Sequence, residues 1–165
     1  MKSRIRVAAA LLLTLLLFGM LFSIYGASKT WSTWNVPSMT PNFADLRSIT
    51  NGAESYAKGV DPILANPADP WQRRQNYPRI WQSLYLLGVN QSHTSLIATI
   101  LIAFFLTGVL LILPNPNYFT LFCLMVAVLS PAALLCVERG NIDLLMFFLV
   151  AVAIVAIQSR PFFRL

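Results

Sequence analysis

The sequence predicts an all-α, polytopic membrane protein that forms a single membrane domain over residues 1–165. Hydrophobic residues make up 57% of the chain and charged residues only 11%, too few to cover the surface of a water-soluble domain of this length. The apolar residues are gathered in runs long enough for a hydrocarbon core of about 30 Å, which needs about 20 helical residues. One long polar stretch at 27–93 separates the first run from the others. We expect four transmembrane helices, at about residues 7–25, 96–113, 118–137 and 143–158.

The first apolar run follows three basic residues and could be either a membrane span or a signal peptide. A signal peptide has an apolar core of about 7 to 15 residues and then a small-residue cleavage site. Here the run is longer, and Tyr25-Gly26-Ala27 is a poor cleavage site. We therefore predict an uncleaved span with a cytoplasmic N-terminus in the plasma (inner) membrane. Counting crossings places both the loop at 27–93 and the segment 138–143 on the extracytoplasmic side. It places Arg160 and Arg164 inside, as the positive-inside rule requires.

Within the loop, residues 44–58 have the spacing of an amphipathic helix. Its apolar positions are Leu46, Ile49, Ala53, Tyr56 and Ala57. Its polar positions are Arg47, Asn51, Glu54 and Lys58. We expect a short helix along the bilayer surface with Asp45 in its first turn. Residues 83–89 could form a second surface helix that leads into the membrane.

Polar residues and prolines punctuate the later apolar runs. Ser92 or Thr94 is expected to cap the second span, and residues 114–117 form a tight turn. A bend is predicted near Ser130-Pro131. The segment 138–143 interrupts the apolar sequence, and its charged and amide groups are costly there unless they face a polar cavity or the interface.

Three features could carry chemistry, and each has a structural alternative. Asp45 could be a general base or an ordinary first-turn acid of a helix. The segment 138–143 could bind a ligand or be a turn between hairpin helices. The arginines and aromatic residues at 71–81 could hold a sugar phosphate or anchor the loop at the interface.

Other site types lack a signature in the sequence. The two cysteines, Cys123 and Cys136, are spaced for different helix faces and predict neither a disulfide nor a metal site. No cofactor is firmly predicted, and a divalent metal has only weak support because paired acids are missing. Basic residues outnumber acids 12 to 6, but they form no stripe, so nucleic acid is not a predicted partner.

The order of several short motifs resembles a known family. They are Asp45-Leu46, Gly59-Val60-Asp61-Pro62, Tyr77-Pro78 and Glu138-Arg139-Gly140-Asn141. With one N-terminal span, a large outer loop and helical hairpins, the chain resembles membrane glycosyltransferases of the C-type fold. It is most similar to the polyprenol-phosphate-mannose-dependent mannosyltransferase-like group, glycosyltransferase family 87 (domain of unknown function 2029).

The resemblance implies an enzyme that moves a hexosyl unit, mannosyl in this family, from a polyprenyl-phosphate sugar to an acceptor hydroxyl. The acceptor would be a lipid or a glycan at the extracytoplasmic face, and the donor tail would lie between helices. Asp45 would be the catalytic base, and Arg79 and Arg139 would hold the donor phosphate. The candidate substrate-binding residues are Arg47, Tyr77, Arg79, Glu138, Arg139 and Asn141.

The chain departs from the family in two ways. Arg79 follows Tyr77-Pro78 where the family often has a second proline. Family members also usually carry more spans, so the chain corresponds to their N-terminal part. The alternative is a non-catalytic polytopic membrane module, such as an assembly partner or a transporter fragment. Transporters usually place ionisable residues within the membrane, whereas these apolar runs contain no charged residue.

Overall fold

The structure, a computed structural model, describes residues 2–112 and 116–159, with side chains from Ile5 onward, and its regular secondary structure in these ranges is entirely helical. The α-helices are α1 Lys2–Tyr25, α2 Ala27–Thr33, α3 Ala44–Ala57, α4 Thr94–Ile112, α5 Tyr118–Val128, α6 Pro131–Arg139 and α7 Asp143–Ser159. Two 3₁₀ helices, Arg79–Leu87 and Gln91–His93, lie between α3 and α4. The predicted all-α class is confirmed for the described residues.

In the described ranges, two segments are long and apolar enough to cross a membrane, Ile5–Tyr25 and Gln91–Ile112. They correspond to the first two predicted spans. A third is present if α5 and α6 are counted as one bent span, while α7 is apolar but shorter. Leu113, the first two residues of the predicted turn at 114–117, and Arg160 and Arg164 lie outside the described residues.

The bend predicted near Ser130-Pro131 is confirmed. α5 and α6 meet at 49°, and Ser130 caps α6 by accepting a hydrogen bond from the Ala133 N–H at 3.3 Å. Pro131 occupies the first turn of α6, where its missing N–H breaks no helical hydrogen bond.

The core joins the long helices to the polar loop. α4 packs on α7 with Phe104 stacked on Phe148 at 4.8 Å between ring centroids. Leu46 of α3 belongs to the same buried cluster as Leu101 of α4 and Leu144 of α7. The helix that carries Asp45 is therefore part of the core.

The predicted helix at 44–58 is confirmed as α3, but the predicted exposure of Asn51 and Tyr56 is wrong. Asn51, expected on the polar surface, is 0% exposed, while Tyr56, expected on the apolar side, is 40% exposed. The reason is that the loop following α3 folds back over its polar face. There Ser55 donates a hydrogen bond to Asn66 Oδ1 at 2.7 Å, so α3 is buried on both an apolar and a polar side.

The chain after this loop differs from expectation in two details. The second short helix is a 3₁₀ helix that begins at Arg79, four residues earlier than predicted. The cap before α4 is neither Ser92 nor Thr94. Asn90 accepts a hydrogen bond from the Ser92 N–H at 2.9 Å and donates its own N–H to His93 Nδ1 at 3.3 Å, forming a reciprocal capping box.

Candidate functional site

Asp45 and Asn141 meet although 96 positions separate them. The Asn141 side-chain amide donates a hydrogen bond to Asp45 Oδ2 at 3.2 Å. Its oxygen accepts the N–H of Asp143 at 3.0 Å, which fixes the orientation of the amide. The first turn of α3 and the break between α6 and α7 therefore form one site, as expected if both lie on the same side of the membrane.

Gly140 makes this contact sterically feasible. It ends α6 in the left-handed region, with φ 62°. A Cβ at this position would lie 3.1 Å from Leu46 Cβ and 3.2 Å from Phe43 Cβ. Glycine therefore meets two requirements, since it adopts this backbone conformation at little cost and lets the junction approach α3 closely.

A polar cavity of about 380 Å³ lies beside this contact. The side chains that line it are Asp45, Ser48, Arg73, Arg74, Asn76, Tyr77, Asn141 and Asp143. Asp45 is half-buried. The Ser48 hydroxyl is buried and has no hydrogen-bond partner among the described residues. Such a group is costly unless water or a ligand satisfies it.

Arg73 is held rigidly at the edge of the cavity. Asp69, which is buried, receives hydrogen bonds from Arg73 Nε at 3.1 Å and from Arg73 Nη2 at 3.0 Å. Nη2 also donates to the Ala44 carbonyl at 2.6 Å, and the guanidinium lies 4.5 Å from the centre of the Trp71 ring. The Asp69–Arg73 pair thus ties the loop to the first turn of α3, next to Asp45.

Sequence reasoning overlooked this pair. The four-residue spacing of Asp69 and Arg73 was a usable signal, but it lay in a run of turn residues rather than in a helix. Arg74, the next residue, is exposed and has no ion-pair partner in the described part of the chain. It also lines a second cavity of about 360 Å³ on the loop.

Tyr77 lies half-buried between these charges. Burial, together with the negative charges of Asp45 and Asp143, raises the pKa of its phenol to about 12. The hydroxyl is therefore protonated at neutral pH and can donate a hydrogen bond into the cavity.

Among the predicted substrate-binding residues, Tyr77 and Asn141 line the cavity with Asp45. Arg47 does not, and its Nε donates to the Asn42 carbonyl at 2.7 Å. Arg79 is also elsewhere, in an ion pair with Asp61 at 2.9 Å.

Glu138 and Arg139, the other two candidates, hold the segment that precedes α3. Glu138 Oε1 accepts the Met39 N–H at 2.8 Å, and its Oε2 lies 2.9 Å from Arg139 Nε. Arg139 Nη2 donates to the Pro37 carbonyl at 3.1 Å, and Nη1 contacts the Met39 sulfur. Neither Glu138 nor Arg139 lines the polar cavity.

The described residues also enclose an apolar cavity of about 370 Å³. Its walls come from α1, α4, α5 and α6, including Phe18, Phe105 and Leu134, and it reaches Phe43 and Glu138. Since Phe43 is two residues before Asp45, the two cavities approach each other at the start of α3. A molecule with a polar head and an apolar tail fits this arrangement.

The described residues contain no group of three or more His, Cys, Asp or Glu side chains that could hold a metal ion.

Comparisons of this chain with known protein families, with curated proteins and with solved structures found no match.

Proposed function

We propose that this chain is a membrane glycosyltransferase module that transfers a hexosyl unit, mannosyl by its resemblance to family 87, from a polyprenyl-phosphate sugar to an acceptor hydroxyl. One observation carries the proposal. The half-buried carboxylate of Asp45 lines a polar cavity, and an apolar cavity between helices reaches Phe43, two residues before Asp45. The reacting groups of a lipid-linked donor would occupy the first and its tail the second.

In this mechanism Asp45 accepts the proton of the acceptor hydroxyl. The acceptor oxygen then bonds to the anomeric carbon, the bond from that carbon to the phosphate oxygen breaks, and polyprenyl phosphate leaves with the electron pair. Asn141 occupies Asp45 Oδ2 and leaves Oδ1 for the acceptor. General bases of this kind typically contribute 10²–10⁴-fold to the rate.

Arg73 and Arg74 are the cations that line the cavity, so they replace Arg79 and Arg139 as our candidates for the leaving phosphate. Guanidinium groups bind phosphate through charge-assisted hydrogen bonds. Arg73 is oriented by Asp69, whereas Arg74 is free to move onto the ligand.

The proposed topology has four spans, formed by α1, by the segment from Gln91 through α4, by the bent α5–α6 pair and by α7. Arg6, near the start of α1, lies 4.9 Å from the ring centre of Tyr118 at the start of α5. The Asp45–Asn141 contact lies just after α6, at the other end of the bent α5–α6 pair. The basic N-terminus favours a cytoplasmic location for the first end. The loop at 27–93 and the cavity are then extracytoplasmic, on the outer face of the inner membrane.

Asp45→Asn is the direct test, with Asp61→Asn as the matched loop variant whose carboxylate lies outside the cavity. We would measure transfer of labelled hexose from a short polyprenyl-phosphate sugar in proteoliposomes. Asp45→Asn should lose activity by roughly 10²–10⁴-fold, and Asp61→Asn should keep most of it. Wild-type rates in Asp45→Asn would eliminate it as the base. Donor binding without transfer by the wild-type chain would favour the non-catalytic module.

A further inference from the structure

One face of the 3₁₀ helix Arg79–Leu87 contacts α3 and the loop that follows it. With three residues per turn, positions three apart share a face, and one face carries Arg79, Gln82 and Tyr85. Gln82 is buried, Tyr85 packs edge-on against Tyr56 of α3 at 5.2 Å between ring centroids, and Arg79 pairs with Asp61. This face contacts the protein, although the Arg79 side chain remains 62% exposed and Tyr85 is 38% exposed.

The other two faces carry mainly apolar residues, and three of these are largely exposed. Ile80 is 71% exposed, Leu86 71% and Leu87 78%. A helix that faces water shows the opposite arrangement, with its apolar residues inward and its polar residues outward. We call Ile80, Leu86 and Leu87 the docking face.

The position of the docking face in the chain indicates what covers it. Leu87 is four residues before Gln91, where the 22-residue apolar segment Gln91–Ile112 begins. Four residues span about 14 Å at most, so Leu87 lies close to the membrane surface. Trp81 and Tyr85 on the same helix are residue types that favour the membrane interface. The charge of Arg79 is paired with Asp61, and its 62% exposed side chain lies on a different face of the helix from Ile80, Leu86 and Leu87.

From these contacts we propose that the docking face inserts into the lipid bilayer, where the headgroups meet the acyl chains. The 3₁₀ helix then lies along the surface and anchors the loop beside the start of α4. This inference does not depend on the glycosyltransferase proposal, because it uses neither Asp45 nor its cavity.

Fluorescent labelling of single cysteines tests the environment of each docking-face position in the full chain. The background is Cys123→Ala with Cys136→Ala, and the added changes are Ile80→Cys, Leu86→Cys and Leu87→Cys. Lys58→Cys is the control, because Lys58 is a charged residue on the exposed side of α3. Each protein is labelled with an environment-sensitive fluorophore and placed in vesicles of phosphatidylethanolamine and phosphatidylglycerol.

Lipid insertion predicts blue-shifted emission at the three docking-face positions, loss of quenching by aqueous iodide, and quenching by lipids with a nitroxide high on the acyl chain. The label at position 58 should be quenched by iodide alone. Iodide quenching of the docking face equal to that at position 58 would overturn the proposal. Protection from both quenchers would also overturn it, since a protein surface rather than lipid would then cover this face.

Discussion

Gly140→Ala tests whether the Asp45 site depends on the close approach of the α6–α7 junction to α3. Gly140 has φ 62°, and an added Cβ would lie 3.1 Å from Leu46 Cβ and 3.2 Å from Phe43 Cβ. Both neighbours are Cβ atoms, which move only with their backbone. The methyl group would therefore push the junction away from the first turn of α3.

The expected loss has two parts. An alanine in the left-handed region costs about 1–2 kcal/mol relative to glycine, and forcing a methyl into a packed contact typically costs about 1–3 kcal/mol. We expect Gly140→Ala to lower the free energy of unfolding by roughly 2–5 kcal/mol.

Gly59→Ala is the matched control. Gly59 also has a positive φ, 81°, but nothing lies within 4 Å of its Cβ position, so only the backbone part of roughly 1–2 kcal/mol applies. The assay is unfolding of both variants in the same mild detergent. Equal losses in the two proteins would refute the close-approach argument, and a larger loss in Gly140→Ala would support it.

Two further predictions concern the loop and the cavity. Asp69→Ala should destabilise the protein by about 3–5 kcal/mol, because it leaves the Arg73 guanidinium without its partner, whereas Asp61→Ala removes an exposed pair and should cause a smaller loss in the same unfolding assay. Tyr77→Phe should remove a phenolate absorbance step near pH 12 from the titration of the protein. If the step that this substitution removes lies instead near pH 10, the ordinary pKa of tyrosine, the burial of the Tyr77 phenol is contradicted. Because the folded pKa of Tyr77 is above its unfolded value, the stability linked to the protonated phenol is complete below pH 10 and is lost as the pH rises through about 12.

The sequence was sufficient to predict the elements whose physics is local. Apolar length predicted α1 and the Gln91–Ile112 segment, and the Ser130-Pro131 pair predicted the break between α5 and α6. The spacing of Leu46, Ile49 and Ala53 predicted α3. The expectation that Asp45 and the 138–143 segment share one side came from counting crossings, and the Asn141–Asp45 hydrogen bond agrees with it.

Tertiary contacts, which the sequence pattern does not show, determine the burial of Asn51 and which arginines line the cavity. Asn51 looks like a surface residue of α3 until the following loop covers it, and periodicity within one helix contains no information on that loop. Arg79 and Arg74 are equally good phosphate ligands by residue type. Of these two arginines, Arg79 is paired with Asp61, whereas Arg74 lines the cavity with Asp45.

The position of Asp45 relative to the apolar helices follows from the contacts that α3 makes at each end. In its second half, the Thr50 and Thr94 hydroxyls lie 2.8 Å apart, and Glu54 accepts the Gln91 N–H at 3.3 Å. Its first turn lies against the α6–α7 junction. Nine residues of helix rise about 14 Å, so α3 bridges the start of α4 and the α6–α7 junction. Asp45 is therefore held where the polar loop meets the apolar helices, which is where the proposed function requires the phosphate of a lipid-linked substrate to lie.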